Sequence, residues 1–137
     1  MTNFQIDKKL LNDCIEICDL DLSKLLLMND KRFVWCILVP MRNKLSELYH
    51  LSDDEFVELN QEIKTLSKIL IKKFNADKIN VGSLGNIVNQ LHIHIIARRV
   101  NDDAWPSPVW GYGTPMEYNP SEIKKIKNLL IEGLMIN

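Results

Sequence analysis

The sequence has no marked excess of any residue class, and what it lacks excludes several kinds of protein. Five glycines and five prolines are too few for a collagen-like or low-complexity chain of 137 residues. No apolar run approaches the roughly 18 residues that a membrane-spanning helix requires. The 17 basic and 18 acidic residues nearly cancel. The chain therefore lacks the basic surplus of a protein that binds long nucleic acids, although this balance does not exclude a local anion site.

Cysteine is also scarce. The three cysteines, Cys14, Cys18 and Cys36, are an odd number and each adjoins an apolar residue. This pattern predicts buried, reduced thiols rather than a disulfide framework. A catalytic cysteine is the alternative, but no histidine or lysine stands next to any of the three. The first nine residues lack the apolar segment of an export signal, so we expect a cytoplasmic protein.

The length predicts one domain over residues 1–137, and the hydrophobic share of 46% predicts a core that needs no structural metal or disulfide. The firmest predicted element is a helix over 52–74. Ser52 and Glu55 have the spacing of a capping box, and apolar residues then recur at steps of three and four. A shorter helix is predicted over 4–13, and a last helix begins at Asn119 and continues through Leu134.

The remaining apolar segments predict an antiparallel sheet of about five strands, and hence an α+β fold with one long helix and short terminal helices. The predicted strands cover 14–20, 22–28, 33–39, 76–81 and 87–100. Residues 22–28 are rich in leucine, so a helix is the competing prediction there. Polar residues 29–32 predict a turn, and residues 101–118 predict a long loop rich in proline, glycine and aromatic residues.

Two histidines mark the candidate site. His92 and His94 stand two residues apart in the last predicted strand, so both imidazoles lie on one face of the sheet. Gln90 precedes them on that face and Arg98 follows. A solvated sheet face is one interpretation. Metal binding is a second, with His50, Asp102 or Asp103 as a third ligand.

Phosphoryl chemistry is the third interpretation. An imidazole nitrogen is a competent nucleophile at phosphorus, and a second imidazole stabilises the charge that develops there. The loop immediately upstream, residues 80–86, carries Gly82 and Gly85. Such a loop can present backbone N–H groups to phosphate oxygens, and its position directly before the histidines favours this interpretation.

The segment from Gly85 to Arg98 resembles the signature of the histidine triad nucleotide-binding proteins, Gly-Gln-x-Val-x-His-x-His-x-His. The resemblance extends to Leu26–Asn29, to the strand that ends at Val39-Pro40 and to the helix that begins at Ser52. It is strongest with a bacterial branch whose segment resembles Gln90–His94 followed by Ala104–Gly111. The resemblance implies the α+β fold of that family and, commonly, a homodimer.

The resemblance also implies roles for individual residues. His92 corresponds to the nucleophile that accepts a nucleoside monophosphate, and His94 corresponds to a histidine that contacts phosphate. Gln90 occupies the remaining catalytic position. The implied nucleotide contacts are the phosphate turn of Gly85, Asn86, Ile87 and Val88, with Asn80 beside it, Asn29 at the ribose and Leu27 at the base. By strand parity, Arg98 is a further candidate to neutralise phosphate, with an ion pair to Asp102 or Asp103 as the alternative.

Three positions depart from the family pattern. Gln90 replaces the first histidine and cannot donate a net proton, Asn86 replaces a longer amide, and Ile87 replaces a small hydroxyl residue. A further family histidine aligns on Tyr49 or His50, for which a surface or capping role is the alternative. The tryptophan-rich segment 105–111 is either a rigid part of the core or a wall over the site.

The resemblance implies a nucleotide hydrolase or transferase that cleaves at an α-phosphate, with a dinucleoside polyphosphate or a nucleoside phosphoramidate as substrate and a covalent histidine–nucleotide intermediate. We expect a small nucleotide as the ligand, neither nucleic acid nor membrane as a partner, and no cofactor, although a divalent ion could accompany a polyphosphate. The alternative is a non-catalytic module that binds a purine nucleotide, which the loss of donors at Gln90 and Ile87 favours.

Overall fold

A computed structural model of the chain describes residues 3–136. Along the chain the elements are α1 (Lys8–Asp13), β1 (Cys14–Asp19), β2 (Ser23–Met28), β3 (Val34–Pro40), a 3-10 turn (Leu48–His50), α2 (Asp53–Phe74), β4 (Lys78–Gly82), β5 (Ile93–Arg98) and α3 (Pro120–Ile136). The strands form one antiparallel sheet in the order β1-β2-β3-β5-β4. The predicted α+β fold with a five-stranded antiparallel sheet is confirmed.

Local signals in the sequence fix the ends of α2. The Ser52 side chain accepts from the backbone N–H of Glu55, whose carboxylate accepts from the backbone N–H of Ser52. Three acidic residues in the first turn complement the positive end of the helix dipole. The helix ends where Asn75 adopts a left-handed conformation with φ of 55°. The apolar stripe of α2 then packs on the sheet, where Leu59, Leu66 and Leu70 are almost fully buried.

The sheet separates two apolar clusters. The larger cluster joins one face of the sheet to α2 and α3. The smaller cluster covers the opposite face, which we call the histidine face. It combines residues of the three central strands with residues from outside the sheet, including Ile6, Leu10, Val88, Ala104 and Val109. The N-terminal segment and the long loops therefore cover the histidine face without a long helix, which leaves room for a cavity there.

Residues 23–28 form the predicted strand and not the competing helix, because β2 lies between β1 and β3 and both of its faces are largely buried. Two other predicted elements begin later than expected. The N-terminal helix begins only at Lys8, because Asp7 caps it and the preceding residues are not helical. The last strand begins only at Ile93, because the N–H of Leu91 donates to the carbonyl oxygen of Leu45, outside the sheet.

Within residues 3–136, no helix is both long enough and apolar enough to cross a membrane.

Candidate active site on the histidine face

His92 and His94 lie side by side on the histidine face. His94 belongs to β5 and His92 immediately precedes that strand. The centroids of the two rings are 4.9 Å apart. Both residues are buried, with 6% and 5% of their surface exposed. The interpretation as two solvated surface histidines is therefore wrong.

The hydrogen bond of His92 defines which of its nitrogens is free. Nδ1 lies 2.7 Å from the backbone carbonyl oxygen of Gln90. A carbonyl oxygen only accepts, so Nδ1 carries the hydrogen and donates. In the neutral ring, Nε2 then keeps its lone pair. His92 is thus oriented as a nucleophile or a general base.

His94 has the opposite tautomer. The indole N–H of Trp35 donates to its Nδ1 at 2.9 Å, so in the neutral ring the hydrogen is on Nε2. Burial, with a smaller contribution from His92, lowers the pKa of His94 from 6.5 to about 3. His94 is therefore a neutral hydrogen-bond donor across the physiological pH range. Sequence reasoning missed Trp35, because only the register, which pairs Trp35 with Ile96, brings β3 next to β5 at this level.

Trp110 lies against the second side of His94. Their ring centroids are 5.3 Å apart in an edge-to-face arrangement, and the centroid of Trp110 is 6.2 Å from that of Trp35. Gly82 on β4 makes room for this indole, since a Cβ there would come within 3.0 Å of its Cη2 atom. Segment 105–111 thus combines both of its predicted roles, because Val109 is buried in the core while Trp110 forms a wall beside His94.

The turn at residues 85–88, which precedes the histidines, contains a glycine with a positive φ angle. Gly85 has φ of +70°, a conformation that favours glycine. Val88 is buried and anchors the turn in the smaller cluster, whereas Asn86 and Ile87 are exposed. Within the described residues, the backbone N–H groups of 86–88 donate to no other backbone group. They remain available to an anion at this turn.

Gln90 does not present its amide to the space beside the histidines. Its Oε1 accepts from the backbone N–H of Asp7 at 2.8 Å, and its Nε2 donates to the carbonyl oxygen of Gln5 at 2.9 Å. The side chain is thereby bound to the N-terminal segment through both ends of the amide. Nothing in the sequence spacing indicated this, because the partners are more than 80 residues apart.

A cavity of about 600 Å³ opens next to Trp35 on the histidine face. Asn29 lies in its wall, and its side-chain oxygen accepts from the backbone N–H of Tyr118 at 2.9 Å. The Asn29 NH₂ group is left to donate to a ligand. Lys9 and Asn12 of α1 line the same cavity.

The position of Leu27 differs from the one expected. It is fully buried in the larger cluster beneath α2, on the face of the sheet away from the histidines. It therefore has no contact with the cavity. Because successive side chains of a strand alternate between faces, its neighbour Met28 is the strand residue that lines the cavity. The structure therefore gives no support to the expected contact of Leu27 with a base.

Arg98 is fully engaged within the protein. Only 1% of it is exposed, and its guanidinium donates to both carboxylate oxygens of Asp102, to the side-chain oxygen of Asn80 and to the carbonyl of Ser107, all at 2.8–3.0 Å. The alternative ion pair with Asp102 is therefore confirmed, and a phosphate contact by Arg98 is not supported. Asn80 lies beside the histidine face with its oxygen bound to Arg98, so only its NH₂ group is free to donate.

A second buried ion pair, which sequence reasoning missed, shapes the far wall of the cavity. Asp30 and Arg32 are bonded at 2.7 Å and 2.9 Å, and both side chains are almost fully buried. Arg32 also donates to the carbonyl of Tyr112, and Asp30 accepts from the N–H of Met116. The pair thereby holds the end of the long loop. The predicted turn at 29–32 gave no sign of this role.

The other interpretations lack support in the geometry. Within residues 3–136, no three histidine, cysteine, aspartate or glutamate side chains converge in a way that could hold a metal ion. His50 caps the 3-10 turn, where its Nδ1 accepts from the backbone N–H groups of Ser46 and Glu47. All three cysteines are free thiols, and burial raises the pKa of Cys14 and of Cys36 to about 12. Such thiols are poor nucleophiles.

The chain thus combines a five-stranded antiparallel sheet, a long helix across one face of it and two adjacent imidazoles of opposite tautomer on the other face. The chain matches the family model of the HIT domain over residues 10–101 and belongs to the histidine triad family.

Solved structures of bacterial histidine triad proteins are similar over nearly the whole chain. The protein from Sinorhizobium meliloti is 41% identical, with a TM-score of 0.95 over 97% of this chain and 98% of that one. The protein from Marinobacter aquaeolei is 38% identical, with a TM-score of 0.94 over 96% of each chain. The protein from Bradyrhizobium japonicum is 38% identical, with a TM-score of 0.93 over 95% of this chain and 97% of that one. A search of curated protein sequences gave no match.

Proposed function

We propose that the protein cleaves a nucleotide at its α-phosphate through a covalent bond between the nucleotide and His92. The observation that carries the proposal is the pairing of two adjacent imidazoles whose hydrogen-bond partners select opposite tautomers. His92 has its Nε2 lone pair free because Nδ1 donates to the Gln90 carbonyl, and His94 has an N–H on Nε2 because Trp35 donates to its Nδ1. One ring supplies the nucleophile and the other a donor for a phosphate oxygen.

In the first step, Nε2 of His92 attacks the α-phosphorus, and the bond from phosphorus to the leaving group breaks. The leaving group departs with the bonding electron pair. The Nε2–H of His94 and the N–H groups of residues 86–88 stabilise the charge on the phosphate oxygens. The free NH₂ group of Asn29 donates to the ribose.

In the second step, a water molecule attacks the same phosphorus, and the bond to His92 breaks. The electron pair returns to Nε2, one proton of the water is released to solvent, and the product is a nucleoside monophosphate. His92 is regenerated in its starting tautomer. A nucleotide acceptor in place of water would make the same step a transfer.

The hydrogen bonds of the Gln90 amide support one of the two candidate substrate types over the other. An amine leaving group must gain a proton as it departs, and Gln90 is both a neutral amide and hydrogen-bonded elsewhere. A phosphate leaving group departs as a stable anion and needs no such proton. We therefore favour a dinucleoside polyphosphate over a nucleoside phosphoramidate as the substrate.

Two proteins with solved structures of the same fold carry names that include these properties. One is a hypothetical histidine triad nucleotide-binding protein from Sulfolobus tokodaii, at 15% identity and a TM-score of 0.69. The other is the diadenosine triphosphate hydrolase of Plasmodium falciparum, at 18% identity and a TM-score of 0.65. At these identities they share the fold with this chain, so they support the proposal only by analogy.

Release of AMP from diadenosine triphosphate and from an adenosine phosphoramidate tests the proposal. We expect the wild-type protein to hydrolyse the anhydride faster, and His92→Ala to lose at least about a thousandfold in kcat/KM, as is typical when a catalytic nucleophile is removed. His50→Ala is the matched control, because it removes an exposed imidazole from the same chain. Equal release of AMP by the wild type and His92→Ala would refute the proposal.

A denaturing mass measurement during turnover separates catalysis from simple binding. We expect a nucleotidyl adduct on the wild-type protein and none on His92→Ala. The non-catalytic alternative, a module that only binds a purine nucleotide, predicts AMP binding by the wild type without turnover and without an adduct.

A further inference from the structure

We infer that Gln90 is a positioning residue that builds one wall of the nucleotide cavity by holding the start of α1. The inference rests on the proposed function for its ligand, whereas the contacts that carry it lie within the protein. The side chain of Gln90, two residues before His92, is hydrogen-bonded to a segment more than 80 residues away. Position 90 corresponds to the first histidine of the triad signature. In this chain its side chain helps to form the cavity and does not donate a proton to the leaving group.

The two hydrogen bonds of Gln90 fix a short segment of backbone. Its amide accepts from the N–H of Asp7 and donates to the carbonyl of Gln5, which flank the buried Ile6. Ile6 packs in the smaller cluster together with Val88 of the phosphate turn. Polar and apolar contacts therefore hold the same three residues against the histidine face.

Asp7 passes this restraint on to α1. Its carboxylate accepts from the N–H of Lys9 at 2.8 Å and caps the helix. The helix has only six residues, and a helix of that length is unstable on its own. Its last residue, Asp13, is followed directly by β1, which is hydrogen-bonded to β2 in the sheet. The place of α1 is thus set at one end by the sheet and at the other end by Gln90.

The position of α1 matters because three of its residues, Lys9, Asn12 and Asp13, line the 600 Å³ cavity. Met28 and Asn29 line the same cavity next to the end of α1, where the backbone N–H of Asn29 donates to the carbonyl oxygen of Asp13, and Asn29 faces the ribose in the proposed function. The phosphate groups instead contact His92, His94 and the turn at 85–88, which α1 does not form. Release of α1 should therefore weaken contacts to the nucleoside and leave the contacts to phosphate intact.

The side chain at position 90 needs both an acceptor and a donor at the distances that glutamine provides. Gln90→Ala removes both hydrogen bonds, and Gln90→Asn retracts the amide by one methylene group. Gln90→Glu keeps the acceptor for Asp7 but sets a carboxylate against the carbonyl of Gln5. We expect Gln90→Asn to resemble Gln90→Ala, and Gln90→Glu to have effects between those of the wild type and Gln90→Ala.

Amide hydrogen exchange on the protein without ligand tests the restraint itself. We expect the amides of residues 7–11 to exchange about tenfold or more faster in Gln90→Ala, which corresponds to the loss of two neutral hydrogen bonds. Exchange in β5 should stay unchanged. Gln5→Ala is the matched control, because Gln90 bonds to the backbone carbonyl at that position, which alanine retains. Unchanged exchange at residues 7–11 in Gln90→Ala would overturn the inference.

Titration with AMP and with inorganic phosphate tests the effect on the ligand. We expect Gln90→Ala to weaken AMP binding about tenfold and to change phosphate binding less than about twofold, because inorganic phosphate has no nucleoside to contact the cavity. For hydrolysis of diadenosine triphosphate, KM should rise by a similar factor, with kcat within about twofold of the wild type. A lower kcat with an unchanged KM would place Gln90 in the chemistry and overturn the inference. If the wild type binds no AMP, the proposed function fails, and the exchange measurement still decides whether Gln90 holds α1.

Discussion

The neutral state of His94 predicts a specific acid sensitivity of folding. In the folded protein, burial lowers the pKa of His94 from 6.5 to about 3, and the Trp35 N–H opposes a proton on Nδ1. The unfolded chain takes up a proton at this residue as the pH falls through 6.5, whereas the folded protein does not until about pH 3. The free energy of unfolding therefore decreases between these two values as the pH falls.

The size of the effect follows from the two pKa values. Each pH unit within this window is worth about 1.4 kcal/mol, and pH 5 lies about 1.5 units below 6.5. His94 should thus destabilise the folded protein by about 2 kcal/mol at pH 5 relative to pH 7. Because other groups also titrate in this range, the quantity to compare is the difference between the wild type and His94→Gln, which has no titratable group at this position.

Urea unfolding at pH 7 and pH 5, followed by tryptophan fluorescence, measures this difference. We expect the stability of the wild type relative to His94→Gln to fall by about 2 kcal/mol on acidification. His50→Gln is the matched control, because it replaces an exposed histidine and leaves His94 and its contacts in place. Equal pH dependence of the wild type and His94→Gln would refute the reasoning, because it would mean that folding does not keep the imidazole neutral.

Two further substitutions test contacts around the site. Trp35→Phe removes the donor that selects the tautomer of His94. We expect kcat/KM to fall about tenfold and the ¹⁵N spectrum of the His94 ring to show both tautomers. An unchanged spectrum would contradict the role given to Trp35. Asp102→Asn leaves its guanidinium partner on β5 buried without a counter-charge; we expect the free energy of unfolding to fall by about 3–5 kcal/mol in urea titrations. A loss below about 1 kcal/mol would mean that the pair contributes little to stability.

Periodic and local signals predicted the fold well. The capping box at Ser52 and the apolar stripe after it predicted α2 within one residue at its start. The proline-containing start of the last helix was likewise correct, because capping depends on neighbours in the sequence. The competing helix at 22–28 arose because a strand buried on both faces loses its alternation, so its pattern resembles that of a buried helix.

The site was predicted in part, and the errors have one physical origin. The shared face of His92 and His94 follows from strand parity alone. The contacts of Trp35, Gln90 and Leu27 depend on strand register and on segments that are distant in the sequence. No local pattern reports these relationships, so the tautomer of His94, the bound amide of Gln90 and the face of Leu27 required the structure.

The position of β5 in the sheet has a consequence for how this domain can vary. The strand that carries His94 has a hydrogen-bonded neighbour on each side, β3 and β4, so it can open only when most of the domain unfolds. Most of the residues that line the cavity lie instead on α1 and on loops, with Met28 and Trp35 as the contributions of the sheet. Such segments open locally at a low cost in free energy and tolerate sequence change. In the proposed function, His94 and most of the cavity wall therefore belong to parts of the chain with different local stabilities, so we expect substitutions in α1 and the loops to change ligand preference while the position of His94 is retained.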